Sequence, residues 1–287
     1  MSWIFFALLT ALFRSLTDVS GKFGLQNMDE YIVAWALNFF ALPFLIPILF
    51  FIEIPPIGPN FWLALLVSGT LNIVTSIFYI KAIKLADLSI VIPLTTFTPL
   101  FLLITSPLIV NEFPTIYGII GIVLIVFGSY ILNIKERRNG WYAPFQALVH
   151  NKGARLMLMV AFLWSITSNF DKVGLQNSSP LFWGVIINLY ITIGITPFIF
   201  IYSRKQIRQI PKNLKTLLPV GIFHGLMIVF HMISISLTLV AYLISIKRTS
   251  ALMSVVLGSA LFKEKGLKER LLGAFIMILG VLFITLF

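Results

Sequence analysis

Long apolar stretches recur along the whole chain, and charged residues, proline or glycine bound each of them. Each stretch is about 20 residues long, which is the length that an α-helix needs to cross the hydrocarbon core of a bilayer. The short segments of alternating polarity that build an outer-membrane barrel form a different pattern. The apolar windows lie near 3–22, 31–52, 60–82, 88–108, 114–134, 155–173, 180–202, 216–236, 239–262 and 269–287. The sequence therefore predicts an all-α integral membrane protein with ten transmembrane helices.

A duplication divides the chain into two similar halves. At an offset of 150 residues, the segment 22–27 (KFGLQN) returns as 172–177 (KVGLQN), with five identities in six residues. Asn38 and Asn188 stand in the same register. With two residues added, the second parts of the halves also align, through the pairs Glu112 and Glu264, Gly121 and Gly273, and Gly128 and Gly280. The chain is therefore two copies of one five-helix unit.

The boundaries predicted for these copies are residues 1–135 for the first repeat and 154–287 for the second, with a basic linker at 136–153. Because each copy has an odd number of spans, the second copy must cross the membrane in the opposite sense to the first. Such an inverted repeat has a pseudo-two-fold axis in the membrane plane, and proteins built in this way expose a midplane substrate site to the two sides in turn. The repeat therefore predicts a transporter that works by alternating access.

The balance of charge in the chain is basic. The net charge is +11, although only 11% of the residues are charged and 59% are hydrophobic. The lysines and arginines concentrate in short loops at 135–155, 203–215 and 263–270, between apolar windows. This distribution is typical of membrane topology, so we expect no nucleic-acid partner. By the positive-inside rule, the basic loops lie in the cytoplasm and both termini on the opposite side, in a cell inner or plasma membrane.

The turn before the last, glycine-containing helix of each repeat holds an acidic residue, in Asn111-Glu112 and in Lys263-Glu264. Together with ten helices in two five-helix repeats, this pattern resembles the drug/metabolite transporter superfamily, and within it the EamA-type proteins. The resemblance covers nearly the whole chain. It implies an inverted-repeat bundle around a central cavity and the movement of small metabolites, often outward. Many members are predicted with both termini in the cytoplasm, whereas the charge bias of this chain predicts the reverse.

Lys247 and Arg248, the dyad, are adjacent near the middle of an apolar run at 217–262 in which no other residue is formally charged. A charge at the centre of a membrane helix costs roughly 2.5 to 3.5 kcal/mol on insertion scales, so two adjacent cations indicate a bound anion. Arg248 can offer a planar pair of donors to a phosphate or carboxylate, and Lys247 can offer a compact charge. Buried ion pairs with Asp18 and Asp171 are the alternative explanation.

The dyad also resembles the lysine-arginine pair in the ninth helix of the plastid phosphate-translocator branch, where the pair grips the substrate phosphate. This resemblance lends that role to Lys247 and Arg248. The branch also uses a lysine in its fourth helix, whereas the repeat-related positions of this chain are Thr95 and Thr96. The specific substrate therefore does not carry over.

Other polar side chains within the predicted helices could surround a cargo. Arg14 and Asp18 stand four residues apart on one face of the first helix, so they either neutralise each other or contact the cargo. For Asn38 and Asn188, interhelical hydrogen bonding is expected. The predicted substrate-binding residues are Lys247, Arg248, Arg14, Asp18, Thr95, Thr96, Tyr242 and Ser250.

The sequence thus predicts a secondary transporter, an exporter or exchanger, for a small organic anion that carries a phosphate or a carboxylate. Cations outnumber carboxylates within the predicted helices, which favours an anionic cargo. A flippase for a phosphate-bearing lipid and a structural membrane subunit without cargo remain open as alternatives. No enzyme activity is expected, since no nucleophile, metal or paired-carboxylate constellation occurs at useful spacing. No cofactor is predicted, the partners are the cargo and the lipid bilayer, and a homodimer is left open.

Overall fold

The computed structural model describes residues 2–85, 92–133, 151–250, 252–253 and 267–286. These residues form α-helices, short 3₁₀ stretches and connecting loops, with no strand among them. The α-helices are α1 (Ser2–Gly24), α2 (Glu30–Phe39), α3 (Leu42–Leu45), α4 (Phe61–Leu85), α5 (Thr98–Val110), α6 (Ile116–Asn133), α7 (Lys152–Gln176), α8 (Pro180–Tyr202), α9 (Arg204–Ile207), α10 (Leu214–Leu237), α11 (Val240–Lys247) and α12 (Leu267–Leu286). The 3₁₀ stretches are Ile46–Phe50, Ile92–Phe97 and Pro211–Asn213. The predicted all-α class is confirmed.

Membrane-length helices coincide with the apolar windows of the sequence. Within the described residues, five segments are long and apolar enough to cross a bilayer, namely Ser2–Gly21, Glu30–Phe50, Phe61–Tyr79, Pro180–Tyr202 and Pro211–Leu237. Shorter apolar helices occupy Leu94–Val110, Ile116–Ile131 and Leu272–Leu286. Large apolar side chains are exposed on these helices, as they must be where lipid is the solvent. The chain is therefore an integral, multi-pass membrane protein.

The chain folds into two compact units, and each unit draws on both sequence repeats. The first unit contains Val74–Asn169 and Thr238–Phe287, and the second contains Ser2–Ile73 and Phe170–Leu237. The long helices α4 and α7 are each divided between the two units. Helices of the first repeat therefore pack with helices of the second inside each unit.

In the first unit, α6 and α12 pack closely through glycines. A Cβ atom on Gly121 would lie 2.6 Å from the carbonyl oxygen of Gly280, and one on Gly128 would lie 2.6 Å from that of Gly273. Small residues let helix backbones approach in this way inside a membrane. Because the residue number rises along α6 as it falls along α12, the two helices are antiparallel. They are the last helices of the two repeats, and opposite directions are what an inverted repeat requires.

In the second unit, stacked phenylalanines join α1 to α10. The ring centroids of Phe13 and Phe230 are 5.5 Å apart with an interplanar angle of 12°. Phe6 stacks on the same ring at 6.2 Å. Ser234 Oγ on α10 donates to the backbone oxygen of Trp3 at 3.1 Å. α1 and α10 come from different repeats, so this contact also crosses the repeat boundary.

The second predicted window is not one continuous helix, which corrects the sequence expectation for 31–52. α2 ends at Phe39, and a new helical turn, α3, begins at Leu42. Pro43 explains the break, because it has no N–H to donate to the carbonyl of Phe39 and its ring crowds that carbonyl. At the repeat-equivalent position the second copy has Ile193, and α8 runs through it without interruption.

This break is also where α8 and α10 contact α2. Asn188 Nδ2 donates to the backbone oxygen of Asn38 at 3.0 Å. A Cβ atom on Gly221 of α10 would lie 2.6 Å from the carbonyl carbon of Phe40. The interhelical hydrogen bond predicted for the asparagines is present for the Asn188 side chain, whereas the Asn38 side chain donates to the backbone oxygen of Ala34 within α2 at 3.1 Å. Since they are repeat equivalents in contact with each other, a local two-fold axis passes between them.

Candidate functional site

The dyad lies at the C-terminal end of a short helix. α11 ends at Lys247, and the chain turns at Arg248. The N–H of Arg248 donates to the carbonyl of Ser245 at 3.0 Å, an i→i−3 bond that tightens the last turn. The predicted single helix over 239–262 is therefore wrong at this turn, and residues 251 and 254–262 of that window lie outside the described residues.

The first repeat is interrupted at the equivalent place. Thr95 and Thr96 are the repeat counterparts of Lys247 and Arg248, and they lie in the 3₁₀ stretch that leads into α5. Secondary transporters build their substrate sites from discontinuous helices, and interruptions at corresponding positions of the two halves are the best pointer to such a site. Both interruptions belong to the first unit.

The Thr98 hydroxyl connects the two interruptions. Thr98 Oγ1 donates to the carbonyl of Thr95 at 2.9 Å. Pro99 has no N–H, so it leaves that carbonyl without its usual helical partner. Arg248 Nη2 donates to the same Thr98 oxygen at 2.9 Å. Because a hydroxyl has only one hydrogen, Thr98 can act only as an acceptor toward the arginine, and this fixes the guanidinium on the start of α5.

Two aromatic side chains, Trp164 and Tyr79, lie near the Arg248 guanidinium. The Cζ atom of Arg248 is 5.9 Å from the centroid of the Trp164 ring, within reach of a cation–π interaction. The Tyr79 ring lies 5.8 Å from that indole at an angle of 36°. Both rings pack against an apolar cluster that includes Leu94 and Met157. The hydroxyl and the indole together orient the Arg248 side chain.

The opposite end of α11 is capped by Glu112. Glu112 Oε2 accepts a hydrogen bond from the N–H of Val240 at 2.7 Å. The first N–H groups of a helix have no internal partner and carry partial positive charge, so a carboxylate stabilises them. Lys247 and Arg248 stand at the other end, where partial negative charge favours cations. α5 and α11 therefore form an antiparallel pair, joined through Thr98 at one end and Glu112 at the other.

Tyr242 fixes α11 against the start of α6. Its hydroxyl accepts from the N–H of Thr115 at 3.0 Å and lies 3.2 Å from Thr115 Oγ1. It also fills the space that a side chain at Gly118 would need. The other predicted hydroxyls of this unit are buried, since Thr95, Thr96 and Ser250 are 8%, 2% and 8% exposed. The sequence did not foresee the contacts of Tyr242 and Glu112.

Arg14 and Asp18 lie in the second unit and pair with each other. Arg14 Nε is 3.1 Å from Asp18 Oδ1, so the ion pair that their spacing predicts is present. Asp171, also in the second unit, accepts from Ser68 Oγ at 2.6 Å and from Trp183 Nε1 at 3.3 Å. These contacts tie α7 to α4 and α8 within the second unit.

The polar groups of the candidate site are suited to binding a solute without bond chemistry. They comprise cations, hydroxyls and one aromatic face beside the guanidinium. Within the described part of the chain, no cluster of three or more histidine, aspartate or glutamate side chains could hold a metal ion.

Two repeats with antiparallel equivalent helices, interrupted at matching positions, define a helical membrane transporter. The model of the EamA-like transporter family matches residues 1–134 and again 151–286. The chain belongs to the EamA-like transporter family. A protein of known crystal structure has a similar fold, with a TM-score of 0.72 over 99% of this chain and 95% of that chain at 13% sequence identity. At that identity the likeness shows the fold alone. No curated protein matches the sequence.

Proposed function

We propose that this membrane transporter moves a small organic anion, phosphorylated or carboxylated, and that Lys247 and Arg248 bind the anionic group. The observation that carries the proposal is the position of the Arg248 guanidinium, which Thr98 holds at 2.9 Å where the helices of both repeats are interrupted. A cation at such a place favours a negatively charged cargo.

The Arg248 guanidinium is oriented in advance for binding an anion. Thr98 and Trp164 orient the guanidinium, so little side-chain freedom is lost when an anion binds. Arg248 offers a planar fork that suits a phosphate or a carboxylate, and Lys247 adds a second charge one residue away. The equivalent positions of the first repeat are Thr95 and Thr96, which carry hydroxyls. Of the two repeats, only the second therefore has cations at these positions.

The transport cycle in this proposal is alternating access, by export or exchange. Thr95, Thr96 and Ser250, in the same unit as the dyad, contribute polar lining, and Tyr242 positions α11 through its bond with Thr115. The basic loops face the cytoplasm, as the positive-inside rule requires.

Thermal unfolding of the purified protein with a panel of solutes tests the proposal. A solute that binds only the folded state raises the unfolding temperature, and the rise grows with the ratio of its concentration to its Kd. We expect organic phosphates or carboxylates to stabilise the wild type and not the Arg248→Gln variant. Lys152→Gln removes an exposed charge elsewhere and serves as the control, since it should respond as the wild type does. Stabilisation by organic cations, or by none of the solutes, would contradict the proposal.

A further inference from the structure

The segment 203–215, which joins α8 to α10 and includes the first residues of α10, carries a dense positive charge on a fixed surface. Its five basic residues, called the basic platform here, are all exposed, and no acidic residue occurs between them. They are Arg204, Lys205, Arg208, Lys212 and Lys215. Five like charges within twelve residues repel one another. An anionic partner bound to this surface would offset that repulsion.

Hydrogen bonds hold the platform in one place. Ser203 Oγ donates to Asp29 Oδ1 at 2.9 Å, and the N–H of Asp29 donates to Gln206 Oε1 at 2.9 Å. The same Asp29 oxygen caps α2 by accepting from the N–H of Ile32 at 3.0 Å. The carboxylate of Asp29 is therefore engaged with α2 and with Ser203.

Apolar side chains on the inner side of the loop anchor it further. Ile207, Ile210 and Leu214 pack against the buried cluster that contains Met28 and Leu217. The loop is thus amphipathic, with isoleucines turned inward and the five cations turned outward. A surface of this kind, fixed to the fold, presents its charges as a group.

The loop lies at the depth of the lipid head groups. It joins the end of α8 to the start of α10, and both helices are long enough to span the bilayer. At this level Tyr31 and Tyr202 stack, with ring centroids 5.1 Å apart and an angle of 14°. Tyrosine is enriched at the membrane–water interface, where the ring meets the hydrocarbon and the hydroxyl meets water.

We infer that the basic platform is a binding surface for the head groups of anionic phospholipids in the surrounding membrane. Clusters of four to eight basic residues next to a membrane helix attract such lipids. Charge complementarity and the position at head-group depth select this partner. The inference lies within the second unit and does not depend on the cargo.

Thermal unfolding in detergent with added lipid tests the inference. We expect phosphatidylglycerol to raise the unfolding temperature of the wild type more than phosphatidylcholine does. Lys205→Gln with Arg208→Gln should raise the half-saturating fraction of phosphatidylglycerol by on the order of tenfold, and added salt should weaken the wild-type response. The matched control, Lys152→Gln with Arg155→Gln, removes one lysine and one arginine from α7 and should leave the response unchanged.

Three results would overturn the inference. The first is equal stabilisation by the two lipids. The second is an equal loss of stabilisation by phosphatidylglycerol in both double variants, which would mean that lipid binding depends only on the net charge of the protein. The third is equal stabilisation by inorganic phosphate, which would mean that the site takes a free anion. None of these results bears on the dyad, so this proposal and the proposed function fail separately.

Discussion

Gly121 and Gly280 face each other where α6 crosses α12, and each leaves room for the other's backbone. A Cβ atom on Gly121 would lie 2.6 Å from the oxygen of Gly280, and one on Gly280 would lie 2.7 Å from the oxygen of Gly121. The repeat equivalents of this pair, Gly273 and Gly128, repeat the contact. Two contacts between equivalent residues match in this way when a two-fold axis relates them. The packing of these glycines therefore shows the symmetry expected of an inverted repeat.

The first prediction concerns this crossing. Gly121→Ala should lower the free energy of unfolding by about 1 to 3 kcal/mol, because the added methyl meets a backbone atom that cannot move aside cheaply. Thermal unfolding in detergent measures the change. Gly21→Ala is the matched control, since nothing lies within 4 Å of a Cβ atom at Gly21. Equal unfolding temperatures for the two variants would show that the close crossing is absent.

The second prediction concerns the hydroxyl under Arg248. Thr98→Val removes the acceptor of the guanidinium and the donor to Thr95, so we expect anion affinity to fall by on the order of tenfold. Thr98→Ser keeps the hydroxyl and should retain most of the affinity. The half-saturating anion concentration in thermal unfolding is the readout.

Thr10→Val controls for the loss of a buried hydroxyl as such. Thr10 is fully buried in α1, and its hydroxyl bonds within that helix, to the oxygen of Phe6 at 2.8 Å. It should change stability and leave anion affinity alone. If the valine and serine variants at Thr98 bound anions equally well, Thr98 would have no part in holding Arg248.

The third prediction concerns the cap at the far end of α11. Glu112→Ala leaves the N–H of Val240 without its carboxylate, so stability should fall by about 0.5 to 2 kcal/mol. Anion affinity should fall as well, because the same helix carries the dyad. Glu112→Gln keeps an acceptor oxygen and should lie between the alanine variant and the wild type.

The carboxylate of Glu53 provides the comparison for Glu112, because it is exposed. Glu53→Ala should change neither unfolding temperature nor anion affinity. Identical behaviour of the two alanine variants would rule out the capping role.

The fourth prediction concerns orientation, and the chain suits the experiment because it has no cysteine. Single cysteines at Lys205→Cys and Glu53→Cys place one thiol on each predicted side of the membrane, both at exposed positions. A membrane-impermeant maleimide applied to intact cells should label the cysteine at 53, and the one at 205 only after permeabilisation. The reverse pattern would overturn the positive-inside assignment.

The helical class could be predicted from the sequence because the bilayer imposes it. Span length and the need to satisfy every backbone group leave a helix as the only solution for each apolar window. The segment at 22–27 and its copy at 172–177 made the repeat visible without any structure. The break in α2 also had a signal, since Pro43 stands inside the second window.

The end of α11 had no such signal. Hydropathy reports the transfer of side chains into lipid, and it is blind to a turn flanked by apolar residues with no proline or glycine. The contacts of the dyad were equally hidden, because Arg248 and Thr98 are 150 residues apart in the chain. A dyad expected in mid-helix therefore proved to stand at a helix end, where the backbone itself favours cations.

Uptake of radiolabelled organic anions into vesicles tests the central claim most directly. The protein would carry Lys247→Gln and Arg248→Gln together, and its insertion and unfolding temperature would first be matched to the wild type. The account predicts that uptake falls to the level of protein-free vesicles. Uptake at the wild-type rate by the folded double variant would contradict it.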